Sequence, residues 1–158
     1  MIFVALGTQK QSMHRLIEYL ADRKEEIVIQ NGHTVVSYQH MKSLGFITYG
    51  EMEKWIKKAD LVITHGGGGT IFLALRHHKK VIVVPRLKKY REHINDHQVE
   101  FSNYLDDRKY VLTAYSKDDL NYKIDHFCEY SIVDYEPHEM DYIDYMNSEI
   151  ETLLFREM

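Results

Sequence analysis

The chain has 158 residues, 44% of them hydrophobic, which suits one domain with its own core. Its single cysteine, Cys128, excludes an internal disulfide and a cysteine-based zinc cluster, and fits a reducing compartment. The net charge of -4 conceals an asymmetry: residues 1–125 carry 19 Lys/Arg against 15 Asp/Glu, and residues 126–158 carry one against nine, so a basic body precedes an acidic tail.

No apolar run approaches the roughly 20 residues needed to cross a bilayer. The apolar start, Met1 to Leu6, has neither the basic leader nor the cleavage pattern of a secretion signal. The expectation is a cytoplasmic chain without a transmembrane segment of its own.

Short runs rich in β-branched residues alternate with amphipathic stretches, the rhythm of an α/β fold with a parallel sheet and crossover helices. In chain order the sequence predicts a strand at Ile2–Leu6 and a helix at Ser12–Lys24, capped by Ser12, with Met13, Leu16, Ile17 and Leu20 on its apolar face. Strands at Ile27–Gln30 and Phe46–Thr48 follow, then a helix at Glu51–Lys58, a strand at Leu61–Thr64 and a helix at Thr70–His77. A strand at Val81–Val84, a helix at His93–Leu105, a strand at Tyr110–Leu112 and a helix at Ser116–Phe127 complete the series. The first strand, Leu61–Thr64 and Val81–Val84 are nearly uninterrupted apolar runs, as expected of strands covered on both faces.

The chain changes character after Phe127, which divides it into a domain at 1–127 and an acidic extension at 128–158. Met140, Ile143, Met146, Ile150 and Leu153 recur at steps of three and four. They predict an amphipathic helix that packs either on its own sheet or on a partner.

Chemistry concentrates at three turns. In Leu61-Val62-Ile63-Thr64-His65-Gly66-Gly67-Gly68-Gly69-Thr70 a buried strand runs into four glycines and then a helix. Glycines let the backbone approach a ligand closely, and the first amides of the helix point at an anion with the helix dipole behind them. A diphosphate fits such a corner. The pattern is neither G-x-G-x-x-G nor a Walker A loop, which weighs against NAD binding and ATP hydrolysis.

The second turn, Pro85 to Gln98, offers Asp96, His97 and Gln98 to sugar hydroxyls, and Arg86, Lys88 or Arg91 to phosphate charge. The third is Gly7-Thr8-Gln9, on the same edge of the sheet. His65 has three readings: general base, phosphate donor or cap. The cations Lys79, Lys80, Arg86, Lys88, Lys89 and Arg91 suit phosphates, an anionic membrane or an acidic partner, as well as a solvated rim. No HExxH or paired-carboxylate spacing supports a metal hydrolase or a glycosidase.

Three stretches taken in order, FVALGTQ, ADLVITHGGGGTI and KKVIVVPRLKKYREHINDHQ, resemble the carboxy-terminal domain of glycosyltransferase family 28, which contains MurG. The resemblance is to its short single-domain members, PssE-like subunits of bacterial polysaccharide synthesis and the soluble subunit of the eukaryotic two-part UDP-N-acetylglucosamine transferase. It implies a Rossmann-like parallel sheet flanked by helices, equivalent to the donor-binding half of a GT-B glycosyltransferase. It also implies a UDP-sugar substrate, no metal ion or other cofactor, and no nucleic acid. A membrane-anchored PssD-like partner would supply the acceptor half, bring the chain to the inner face of the membrane, and present a polyprenyl-diphosphate-linked saccharide.

Carried over by position, Gly67, Gly68, Gly69 and Thr70, with His65 and Gly66 beside them, would face the diphosphate. His97 and Gln98 would face the donor sugar, Arg86 would add charge, and Gly7 and Thr8 would border the cleft. The family's base usually lies in the acceptor half, so the catalytic residue stays unassigned, with His65 a candidate. One departure is Leu73, where the family often has a glutamate for the ribose. The leading reading is the donor subunit of a hexosyltransferase in cell-surface polysaccharide synthesis. A non-catalytic enhancer of a membrane transferase is the alternative, and a complete small Rossmann enzyme such as an epimerase lacks a second domain to close over substrate.

Overall fold

The computed structural model describes residues 1–136. Six strands form one all-parallel sheet: β1 (Ile2–Ala5), β2 (Ile27–Gln30), β3 (Met41–Ser43), β4 (Leu61–Thr64), β5 (Lys80–Val83) and β6 (Leu112–Thr113). The helices are α1 (His14–Tyr19), α2 (Tyr49–Lys58), α3 (Gly68–Arg76), α4 (His97–Asp107) and α5 (Lys117–His126). Strand order is β3-β2-β1-β4-β5-β6. The chain therefore winds outward from β1 to β3, returns beside β1 as β4, and winds outward again. Where the direction reverses, between β1 and β4, a crevice opens at the carboxyl ends of the strands.

Alternation along each strand divides the core into two layers. Ile2, Val4, Ile27, Ile29 and Ile63 pack against Leu16 and Ile17 of α1 and Leu120 and Ile124 of α5. Phe3, Ala5, Val28, Val62, Val81 and Val83 face the other way, onto Ile56 of α2, Ile71 and Ala74 of α3, and Phe101 and Leu105 of α4. The continuous apolar runs are thus strands covered on both faces, as expected.

Element boundaries differ from the sequence reading for local reasons. The third strand is Met41–Ser43, and the expected strand at Phe46–Thr48 is instead the approach to α2. Gly45, at φ +68°, turns the chain out of the sheet, and Thr48 caps α2 in a capping box with Glu51. Ser12 is not the cap of α1; that position is Met13, whose amide donates to Thr34 Oγ1 at 3.0 Å. Helix α4 begins at His97 rather than His93 because residues 88–96 form a 3₁₀ turn and a loop.

Residues 127–136 return to the amino edge of the sheet. Lys80 Nζ donates to the carbonyls of Phe127, Cys128 and Tyr130 at 2.9, 3.0 and 3.0 Å, and Tyr135 packs its buried ring against Phe72 and Tyr110. The amphipathic helix expected within 139–158 lies outside the described residues. Among the described residues no helix is long and apolar enough to cross a membrane.

Candidate functional site

Three turns meet at the carboxyl edge, after β1, β4 and β5, and His65 is the piece that joins them. Its ring is almost fully buried, 7% exposed. A Cβ placed on Gly7 would lie 2.5 Å from Nε2, and one on Gly67 would lie 2.6 Å from Cε1, so only glycine fits on either side of the imidazole. Gly7 and Gly66 also have φ of +75° and +94°, a region that glycine enters without steric cost.

From α4, Gln98 closes the third side. Both of its amide atoms lie within reach of His65 Nδ1, Oε1 at 3.4 Å and Nε2 at 3.2 Å. Oε1 also accepts from the backbone N–H of Arg86 at 3.1 Å, so one amide links His65 Nδ1 to the loop after β5. Burial, and then the positive charge of Arg86, lower the imidazole pKa to about 4. At neutral pH the ring is uncharged and its Nδ1 is engaged by Gln98. Of the three readings, a cationic phosphate donor runs against the low pKa, and the cap of α3 is Gly67 instead; the ring packs as a spacer between the turns.

The turn after β1 is fixed from the other side by Gln30, the last residue of β2. Its buried amide accepts from Gly7 N at 2.9 Å and donates to the carbonyls of Gly7 and Gly45 at 3.1 and 3.3 Å. Sequence reasoning passed over Gln30; the available signal was a polar residue closing an otherwise apolar strand.

Helix α3 starts at this corner. Its cap position is Gly67, with no side-chain cap and no acidic residue in the first turn. The Gly68, Gly69 and Thr70 amides are therefore unclaimed by side chains among the described residues, at the positive end of the helix dipole. Gly69 is exposed and a Cβ there would meet nothing within 4 Å, while Gly68 rests on Phe101. Thr8 is exposed, and His97 and Gln98 are half-buried on the first turn of α4.

Arg86 departs from its expected placement. It is 1% exposed, and its guanidinium donates inward to the carbonyls of Leu6, Gln11 and Glu92 at 2.7, 2.6 and 3.0 Å. Such donors satisfy loop carbonyls that burial would otherwise orphan, so here Arg86 ties the loop after β5 to the turn after β1. A second unforeseen piece lies beneath the same loop: Glu92 pairs with Arg15 through bonds of 2.9 and 2.7 Å and accepts from Leu87 N at 3.0 Å. Its signal was a lone acid within a basic stretch. Among the described residues no group of three or more His, Cys, Asp or Glu is arranged to hold a metal ion.

A comparison with curated proteins finds no match. Among solved structures the fold is similar to ALG13, at 16% identity and a TM-score of 0.59, covering 89% of this chain and 92% of that one. It is also similar to Methanocaldococcus jannaschii UDP-GlcNAc 2-epimerase, at 12% identity and a TM-score of 0.57 over 82% of this chain. Acinetobacter baumannii MurG matches at 16% identity and a TM-score of 0.53 over 79% of this chain. The chain spans only 39% and 40% of the latter two, and 34% of the kitacinnamycin glycotransferase. At such identities the likeness is one of fold, and it is the fold of GT-B glycosyltransferases. The Glycosyltransferase family 28 C-terminal domain matches over residues 1–137, and the chain belongs to that family.

Proposed function

We propose that the chain is the donor-binding subunit of a two-component glycosyltransferase that moves a hexose from a UDP-sugar to a polyprenyl-diphosphate-linked acceptor in cell-surface polysaccharide synthesis. The observation that carries the reading is the uncapped start of α3 at Gly67, on the edge where β1 and β4 diverge. Amides there suit a diphosphate, and membership of the family makes a sugar donor the natural bearer of it. We assign Gln98, which packs on Gly66, and its neighbour His97 on the first turn of α4 as partners for sugar hydroxyls. The fixed Gly7–His65–Gln98 packing supplies a preorganised wall.

The epimerase with a similar fold was solved with UDP-GlcNAc and UDP, which supports a uridine donor. In this reading the donor's charge is met by the amides at the start of α3, with no metal ion.

A non-catalytic enhancer of a membrane transferase is favoured by one observation. Leu73 is a core residue of α3, 5% exposed, so that position offers no acceptor to a ribose hydroxyl.

The test is a membrane assay with the chain and its presumed partner co-expressed and offered a panel of UDP-sugars. Transfer is expected only with both proteins present, and UDP should raise the melting temperature of the pair by mass action. Absence of any shift with every uridine nucleotide would end the donor reading.

A further inference from the structure

The basic cluster seen in the sequence is split by the fold. Lys79 and Lys80 lie at the amino end of β5, their ammonium groups committed to backbone carbonyls, and Arg86 is buried. Lys88, Lys89 and Arg91 alone remain exposed, together on the short turn after β5. Beside them Tyr90 is 49% and Ile94 73% exposed. Three exposed cations and two exposed apolar side chains thus share one short segment.

That segment is held rigidly from beneath. Its one acid, Glu92, is 2% exposed and neutralised by Arg15, so the exposed charge within 88–94 is positive, with the exposed carboxylates of Asp96 and Glu18 bordering it. Lys88 N donates to Asp96 Oδ1 at 2.8 Å, Arg86 donates to Glu92 O, and Arg91 closes the turn in the left-handed region at φ +58°. A preformed tip loses little conformational freedom on docking.

We propose that residues 88–94 form a membrane-docking tip that rests on an anionic phospholipid surface. Lysine and arginine at such a surface are attracted by its negative potential, and the exposed isoleucine that follows them on the same segment reaches the acyl boundary. Among the described residues, the carboxylates that follow α5 lie away from the tip. Glu129, Asp134 and Glu136 follow α5 and run beside the amino edge, where Val133 N bonds Lys109 O. The four-residue strand β5, about 13 Å long, separates that edge from the tip by more than the screening length of ~10 Å at 0.1 M salt. Docking turns the carboxyl edge and its glycine corner toward the membrane. The inference stands apart from the donor reading, since it needs no nucleotide.

Sedimentation of the full chain with sucrose-loaded vesicles tests it. Vesicles of equal phosphatidylglycerol and phosphatidylcholine should bind the chain at about 0.1 M salt and release it near 1 M, where screening falls to ~3 Å; vesicles of phosphatidylcholine alone should not. The variant Lys88→Gln, Lys89→Gln, Arg91→Asn should lose on the order of a hundredfold in partitioning, asparagine being chosen because it tolerates the left-handed turn. Ile94→Ser should lose several-fold while keeping the salt dependence. An unchanged melting temperature for both variants shows that folding is intact. Absence of binding to phosphatidylglycerol vesicles at low salt, or binding undiminished in the triple variant, overturns the proposal. So does capture by polyglutamate with vesicles ignored, which would point to an acidic protein partner.

Discussion

The imidazole of His65 is packed so tightly against Gly7 that a Cβ on that glycine would stand 2.5 Å from Nε2. Since Gly7 also has φ +75°, alanine there meets two penalties: the left-handed conformation, about 1–2 kcal/mol, and overpacking of a buried ring, about 1–3 kcal/mol. Gly7→Ala should therefore destabilise the fold by about 3 kcal/mol in urea titration. In a His65→Ala background the steric part vanishes and about 1 kcal/mol should remain. The coupling, close to 2 kcal/mol, is the signature of direct contact; additive losses would refute it.

The same histidine makes stability depend on pH. Burial holds it neutral, with a pKa of about 4 against an ordinary 6.5. The unfolded chain takes up a proton as pH falls below 6.5 and the folded chain does not until about 4, so stability is complete above 6.5 and declines through that window. Between pH 7 and pH 5 the loss from this one group is about 2 kcal/mol. The difference between wild type and His65→Gln, followed by urea unfolding across pH 5 to 7.5, isolates it from the carboxylates. Parallel curves would show that the ring titrates normally.

Gly69→Asp separates folding from ligand binding. The site is exposed and open, so the side chain fits. Replacing a glycine inside a helix and placing a carboxylate in its first turn both stabilise, together by about 1 kcal/mol, and the melting temperature should rise by a few degrees. The same carboxylate stands where a diphosphate would sit, and a penalty of about 1.4 kcal/mol is already a tenfold loss of affinity. A more stable chain that binds UDP at least tenfold less tightly is the expected outcome. Undiminished UDP affinity would move the diphosphate elsewhere, and transfer activity that survives the change would favour the enhancer reading.

Much of the site was legible before the fold was known, because its chemistry is local. Strand Leu61–Thr64, the glycines and the helix that follows are contiguous, and glycine's backbone freedom is a property of the residue itself. The third strand was misplaced by several residues, although Thr48 and Glu51 already spelled a capping box. A three-residue strand at Met41–Ser43, with one buried side chain, carries too little pattern to be seen.

By itself, then, the sequence determined the α/β class, the two-sided burial of the central strands and the position of the glycine corner, because hydrophobic periodicity and backbone freedom are encoded within a few neighbouring residues. Only the tertiary structure decided which polar groups face inward. Arg86 bonds Leu6 across eighty positions, Glu92 takes its charge partner from Arg15 on α1, and Gln30 locks Gly7. Whether a charge is buried and paired or left to water is set by long-range packing, and no window of sequence contains both ends of such a contact.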